Sequence, residues 1–267
     1  MSLDYLKGRT ALDLILEFPK ISWTYFYGGH GTPGAQIDTL TFVTYESHAP
    51  VSDKVDLFGP RLKVSQELSR EDLSFIEREK EKTVGLISEV KLGEFLPVAK
   101  EYAYVPPFGK FYGEHSYAHL PMIDFDTEGR FDFMTEDELI QMIKRTTAEI
   151  TQIRKGVILK SSGRNYHFFG TGYLLSEIDF MTFTGLCLSM KYDGPNGQPI
   201  NLVDERGIGH ALTPMNLYMA AEWDEENSPP KGFELSHYIM GARFMTLRVS
   251  SKPGKNEYPK IVDIMDG

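Results

Sequence analysis

Apolar and polar positions alternate most legibly between residues 118 and 170. Leu139, Met142, Ile143, Ile150 and Ile153 recur every three or four residues through TEDELIQMIKRTTAEITQIR, and Thr135 with Glu138 forms a Thr-x-x-Glu capping box ahead of them. The spacing predicts a helix of about five turns, ended at Gly156. Short apolar runs flank it, MIDFD (122–126) before and VILK (157–160) after, and both read as strands. Strand, helix and strand in one short span make a βαβ unit, which sets the two strands parallel and close in a sheet. SSGRN (161–165) then reads as a tight turn, and YHFF (166–169) returns antiparallel. On that strand His167 and Phe169 share one face, while Tyr166 and Phe168 take the other. The turn therefore carries Ser161, Ser162, Arg164 and His167 towards the sheet that holds Asp124 and Asp126.

The rest of the pattern is weaker. ISWTYFY and TLTFVTY (39–45) read as strands that pair across a long glycine-rich connection, FYGGHGTPGAQ (26–36). That connection has no Gly-Lys-Ser/Thr and leads into no helix, so it is not read as a phosphate loop. Residues 65–90 carry apolar positions at helical spacing, with EREKEK as a solvated helix face, and MSLDYLKGRTALDLILEF reads as a helix without a cleavage site. EYAYVPPFGKFYGEHSYAHLP (101–121), rich in aromatics, Pro and Gly, is the expected crossing between an N-terminal lobe (1–117) and a second lobe (118–267). The expected class is α+β, with a mixed, RRM-like sheet and a packed N-terminal α/β lobe.

Composition narrows the function. At 267 residues and 41% hydrophobic the chain can bury a sizeable core. A single cysteine, Cys187, excludes an intrachain disulfide and a cysteine-based zinc site. No stretch approaches the ~20 apolar residues of a membrane span, so a cytoplasmic protein with no membrane partner is expected. The net charge of −10 argues against coating duplex nucleic acid with the whole surface, because phosphate neutralisation supplies most of such affinity. A nucleic-acid site has to be a local basic patch, or the ligand has to be small and bring its own cations.

Asp124 and Asp126 are one residue apart on a strand, so their carboxylates leave the same face. A divalent cation explains such a pair, and so does a solvated turn. The combination with a Ser-Gly-Arg turn and a histidine on the neighbouring hairpin favours the cation. Two carboxylates hold Mg²⁺ or Mn²⁺ against a polyphosphate, while glycine-turn amides, a guanidinium and an imidazole hold its outer oxygens.

These motifs resemble those of the archaeo-eukaryotic primase superfamily, which includes the primase-polymerases. MIDFD matches the acid-x-acid motif and implies Asp124 and Asp126 as metal ligands. SSGRNYHFF is similar to the second motif and implies nucleotide-phosphate contacts from Ser162, Arg164 and His167, with Asn165 where the Ser-x-His form carries serine. FMTLRVSSKPGK resembles the downstream basic element and implies Arg248 and Lys252 as triphosphate contacts. The third acid has two candidates: Glu234 in GFELSH, favoured because it lies closer to Arg248, and Asp204 in LVDERG, which has the better apolar-Asp form. The resemblance spans roughly residues 118–255, and the first hundred residues add nothing to it.

The resemblance implies a metal-dependent nucleotidyltransferase of DNA replication or repair. It would bind a nucleoside triphosphate and add nucleotides to a nucleic-acid 3′-hydroxyl or initiate primers, meeting template or primer through a local basic patch. Two other readings use the same residues: a nucleotide-binding or interaction module of primase-like fold that does not polymerise, and a different metal-dependent phosphotransfer enzyme.

Overall fold

The computed structural model describes residues 2–45, 61–64, 67–78, 82–93, 104–105, 109–110, 117–205, 208, 245–252 and 257–267. In chain order its first elements are α1 (Ala11–Glu17), β1 (Trp23–Tyr27), β2 (His30–Ala35), β3 (Ile37–Tyr45), β4 (Arg61–Lys63), α2 (Ser74–Arg78) and β5 (Thr83–Leu92). Next come β6 (Tyr104–Val105), β7 (Gly109–Lys110), β8 (Tyr117–His119) and β9 (Met122–Phe125). After these follow α3 (Glu136–Thr151), β10 (Lys155–Ser162), β11 (Asn165–Gly170), β12 (Tyr173–Leu175) and α4 (Glu177–Cys187). The last are β13 (Lys191–Asp193), β14 (Pro199–Asn201), β15 (Thr246–Arg248) and β16 (Lys260–Asp266). The fold is α+β: one large mixed sheet, a smaller four-stranded sheet and few helices.

The small sheet runs β16-β10-β11-β9. Both β9 and β10 pair antiparallel with β11, so β9 and β10 are parallel with the hairpin strand slotted between them. This split βαβ unit is the expected one, and β16 closes its β10 edge in antiparallel pairing. Helix α3 starts where the capping box predicts, with Thr135 and Glu138 bonding reciprocally. It ends at Thr151 rather than at Gly156, because Gln152 turns into the left-handed region at φ 61°. Leu139, Met142 and Ile143 of α3 are buried in the core it shares with the sheet.

One face of the small sheet carries Ile158, Tyr166 and Phe168, and α3 covers it. Asp263 of β16 anchors this contact: its carboxylate meets Lys144 of α3 at 2.8 Å and Lys7 at 2.8 Å, and accepts the Ile264 N–H at 2.9 Å. The other face carries Asp124, His167 and Leu159, which lie directly across from one another along the register, and it turns towards β15 of the large sheet.

The large sheet runs β2-β1-β12-β8-β5-β3-β4, with β15 added beside β5. Its strands are drawn from both sides of residue 117: β12 and β15 come after it, β8 spans it and the others precede it. Three local expectations are corrected here. The 65–90 helix shrinks to the short α2, and residues 83–92 form β5, a central strand whose near-continuous burial hides its period. The glycine-rich connection is itself strand β2, joined to β1 by a two-residue Gly28–Gly29 turn with φ of 55° and 80°. Pro33 is tolerated there because β2 is an edge. Consequently β1 pairs with β2 and β12, while β3 pairs with β4 and β5. At the N-terminus only Ala11–Glu17 is α-helical, capped by Thr10 and Asp13. Among the described residues no helix is long and apolar enough to cross a membrane.

Burial alone would raise the pKa of Asp263, but bonds from Lys144, Lys7 and the Ile264 N–H outweigh it and hold the pKa at about 2, against 3.8 unperturbed. A depressed folded-state pKa adds stability that is present above the unfolded value and lost as pH falls towards the folded one. We expect the wild type to lose stability between about pH 4 and pH 2 by this route. Asp263→Asn should lack that component and be about 1–3 kcal/mol less stable at pH 7, as read by urea unfolding across pH.

Candidate active site

Asp124 is the residue around which the site assembles. On one side β11 sets His167 directly opposite it, with the imidazole Nε2 3.5 Å from the carboxylate Oδ1. On the other side residues 202–204 form an antiparallel bridge centred on Phe125 and Val203. The Asp204 N–H donates to the Asp124 carbonyl at 2.9 Å, and the Asp126 N–H donates to the Leu202 carbonyl at 3.0 Å. Asp204 is therefore the cross-strand neighbour of Asp124 and shares its face.

His167 is 4% exposed. Burial, with Arg248 and Lys252 close by, lowers its pKa to about 3, so the imidazole is neutral at physiological pH. Nδ1 is buried with no hydrogen-bond partner among the described residues. A neutral imidazole offers one donor and one acceptor to a ligand and no charge.

The hairpin tip is fixed from below. Gly163 adopts φ +56° at the first position of the two-residue turn, a conformation costly for any residue with a Cβ, and the Glu128 carboxylate lies against it. Asn165 explains itself here: its Oδ1 accepts the N–H groups of Thr127 and Glu128 at 2.9 and 3.0 Å, and its Nδ2 donates to Glu128 at 3.3 Å. The Thr127 hydroxyl bonds the Arg164 carbonyl. An amide supplies acceptor and donor at once, which a serine hydroxyl cannot do over the same span. The turn after the acid strand and the tip of the hairpin are thus clasped together.

The expected phosphate contacts divide. Ser162 accepts a hydrogen bond from the Lys252 ammonium at 3.2 Å, so these two share the tip of β10. Arg248 is 6% exposed; its guanidinium bonds the carbonyls of Ser161, Ser250 (2.8 Å) and Glu257 (3.4 Å). It is a cationic staple between β15 and β10 as well as a charge behind His167. Arg164 donates to the carbonyls of Met134 (2.8 Å) and Phe131 (3.3 Å), and its guanidinium lies 3.9 Å from the Asp132 carboxylate. Asp126 meets Arg130 at 2.7 Å, an i,i+4 pair that neither the acid motif nor the helical pattern announced. Glu234 lies outside the described residues.

Carboxylate oxygens are the donors that Mg²⁺ and Mn²⁺ take, so Asp124 and Asp204 fit such a cation in kind. Among the described residues no three His, Cys, Asp or Glu side chains are gathered closely enough to hold a metal ion. Mg²⁺ is ordinarily held by one or two carboxylates together with the phosphates of a substrate rather than by a closed protein cage.

Comparison with known proteins agrees with the motif reading. Residues 109–224 match the family model AEP-like: Archaeo-eukaryotic primase 1D-like. The match takes in the acid strand, α3, the hairpin and Asp204, and stops short of Glu234, Arg248 and Lys252. No match was found among curated proteins or among solved structures.

The divided roles of the two downstream cations are measurable. Arg248→Ala should cost about 3 kcal/mol or more in urea unfolding, because three buried or half-buried carbonyls lose their donor. Lys252→Ala, which removes the ammonium that donates to Ser162, should cost less than Arg248→Ala.

Proposed function

We propose that this chain is a metal-dependent nucleotidyltransferase of primase type, with Asp124 and Asp204 as its central acid pair. The observation that carries the reading is the antiparallel bridge that sets Asp204 beside Asp124, inside the segment matched by the primase-like family model. Glu234, the other candidate third acid, falls outside that segment.

In this reading Asp124 and Asp204 would hold Mg²⁺ or Mn²⁺, with Asp126 joining once its carboxylate leaves Arg130. The bound cation would lower the pKa of a primer 3′-hydroxyl and stabilise the leaving pyrophosphate. The 3′-hydroxyl would lose its proton to solvent, its oxygen would form a bond to the α-phosphorus of the nucleoside triphosphate, and the bond from that phosphorus to the α,β-bridging oxygen would break, releasing pyrophosphate. Ser162, Lys252 and the neutral His167 would orient the triphosphate, and Arg248 would add positive potential from behind. With Asp126 released, the Arg130 guanidinium, which also donates to the Asn201 carbonyl at 3.4 Å, would have an N–H to offer a phosphate oxygen. Template contact would be weak and salt-sensitive on a chain of net charge −10.

A second reading, a nucleotide-binding module that does not polymerise, draws on the engagement of Asp126 with Arg130 and of Arg164 with backbone carbonyls. One experiment separates the two. Labelled ribo- or deoxyribonucleotides are incubated with primed and unprimed single-stranded templates and Mn²⁺ at low salt, and the products are separated by size. The wild type should extend or initiate chains, and Asp124→Asn or Asp204→Asn should lower incorporation about 100-fold or more. In parallel, Mn²⁺ with a nucleoside triphosphate should raise the melting temperature more than either alone, an excess that Asp124→Asn removes. A thermal excess with no product from the wild type selects the binding module; neither signal removes the site from both readings.

A further inference from the structure

A second feature lies on the α3 side of the small sheet, facing away from the carboxylates. Glu138, Gln141, Met142 and Arg145 fall at i, i+3, i+4 and i+7 on α3 and make one wall of a groove of about 570 Å³. Phe133 and Met134, from the turn after the acid strand, and Tyr192 of β13 make the other. The lining is aromatic and thioether with few charges. Phe133 is 47% exposed, although it is a large apolar side chain in a turn. Its ring lies 6.4 Å from that of Tyr192, inclined by only 30°, and both meet Phe131 behind them at 5.9 and 6.2 Å. Twice a ring contact distance of ~3.5 Å is about 7 Å, so a small rotation of exposed Phe133 opens room for one more flat ring beside it.

The charges around the groove identify the ring. Glu138 is already used, since its carboxylate accepts the Thr135 N–H and hydroxyl at 2.8 Å each. Arg145 is exposed and has no hydrogen-bond or ion-pair partner among the described residues. An aromatic platform beside an uncommitted guanidinium suits a flat base bearing a phosphate. Among nucleic-acid polymers a single strand offers such a base, because in a duplex the base faces are stacked inside.

We infer that the groove between α3, the 131–134 turn and β13 binds one nucleotide of a single-stranded nucleic acid, with its base on Phe133 and Tyr192 and its phosphate on Arg145. The contact needs no metal and stands apart from the acid pair. The 131–134 turn nevertheless links it to the site, because Arg164 of the hairpin tip bonds the Phe131 and Met134 carbonyls.

The test is fluorescence anisotropy with a labelled oligothymidylate of about 12 nucleotides, in EDTA at low salt, so that failure of the metal site cannot affect it. Phe133→Ala should weaken binding about fivefold or more, the usual loss of one stacked base. Arg145→Glu should weaken it and flatten the salt dependence. Arg145 is exposed and Phe133 half-exposed, so Arg145→Glu should melt close to the wild type and Phe133→Ala should lose no more than about 1–2 kcal/mol, remaining folded at the assay temperature. A strand carrying 4-thiothymine, irradiated on the wild-type protein, should crosslink within residues 131–145 or 191–194. Affinity unchanged in both variants, a crosslink mapping elsewhere, or no binding by the wild type overturns the inference. So does displacement of the strand by a Glu/Tyr copolymer at equal concentration, which would make the groove a peptide site.

Discussion

Everything at the candidate active site depends on the register between β9 and β11. Because side chains alternate along a strand, the pairing of His167 with Asp124 decides that the imidazole, the carboxylate and Leu159 face the large sheet. A slip of one residue would turn His167 into the core under α3 and bring Tyr166 or Phe168 to face Arg248. The register is held at three points. The apolar face of Ile158, Tyr166 and Phe168 cannot be exposed without large cost, the glycine turn fixes the hairpin length, and the Asn165 amide ties the tip to Thr127 and Glu128.

From that pairing the electrostatics follow. The chain carries an excess of acid, yet behind Asp124 it concentrates cations, with Arg248 on buried carbonyls and Lys252 at the hairpin tip. Their potential, together with burial, keeps His167 neutral. A site that is cationic at its back and carboxylate at its front suits a ligand with phosphates and counter-cations of its own. This arrangement is local, so an excess of acid over the whole chain does not extend to the back of this site.

The parts legible in the sequence are those whose signal is local. The capping box of Thr135 and Glu138, the 3–4 spacing of α3 and the glycine turn each reside within a few residues, and together they gave the β9-α3-β10-β11 unit. Where tertiary context decides, the pattern misleads. Strand β5 is buried along almost its whole length, so it shows no alternation, and its charged approach reads as a helix. Strand β2 is built of glycine and proline because it is an edge. The arginines show a chemical limit rather than a structural one. A guanidinium suits a phosphate and a backbone carbonyl equally, so nothing in the residue type separates Arg164, bonded to Met134 and Phe131, from a substrate contact. The ion pair of Asp126 with Arg130 has the same character, since an acid spaced for a metal is equally spaced for a cation on the next turn.

The closing of the small sheet by β16 has a bearing on biosynthesis. Strand β10 gains its second neighbour from residues about 100 positions further along the chain, and Gly8 and Arg9 also bond to that late strand at Ile261. On a ribosome the hairpin of β10 and β11 can form early, but one side of β10 stays open until Lys260–Asp266 emerges. Pairing over such separation is slow, and an open apolar strand edge is a template for the wrong partner. Yield from a translating cell would then depend on chaperone occupancy of that edge, and a truncated chain lacking β16 would leave the ribosome with its small sheet prone to association.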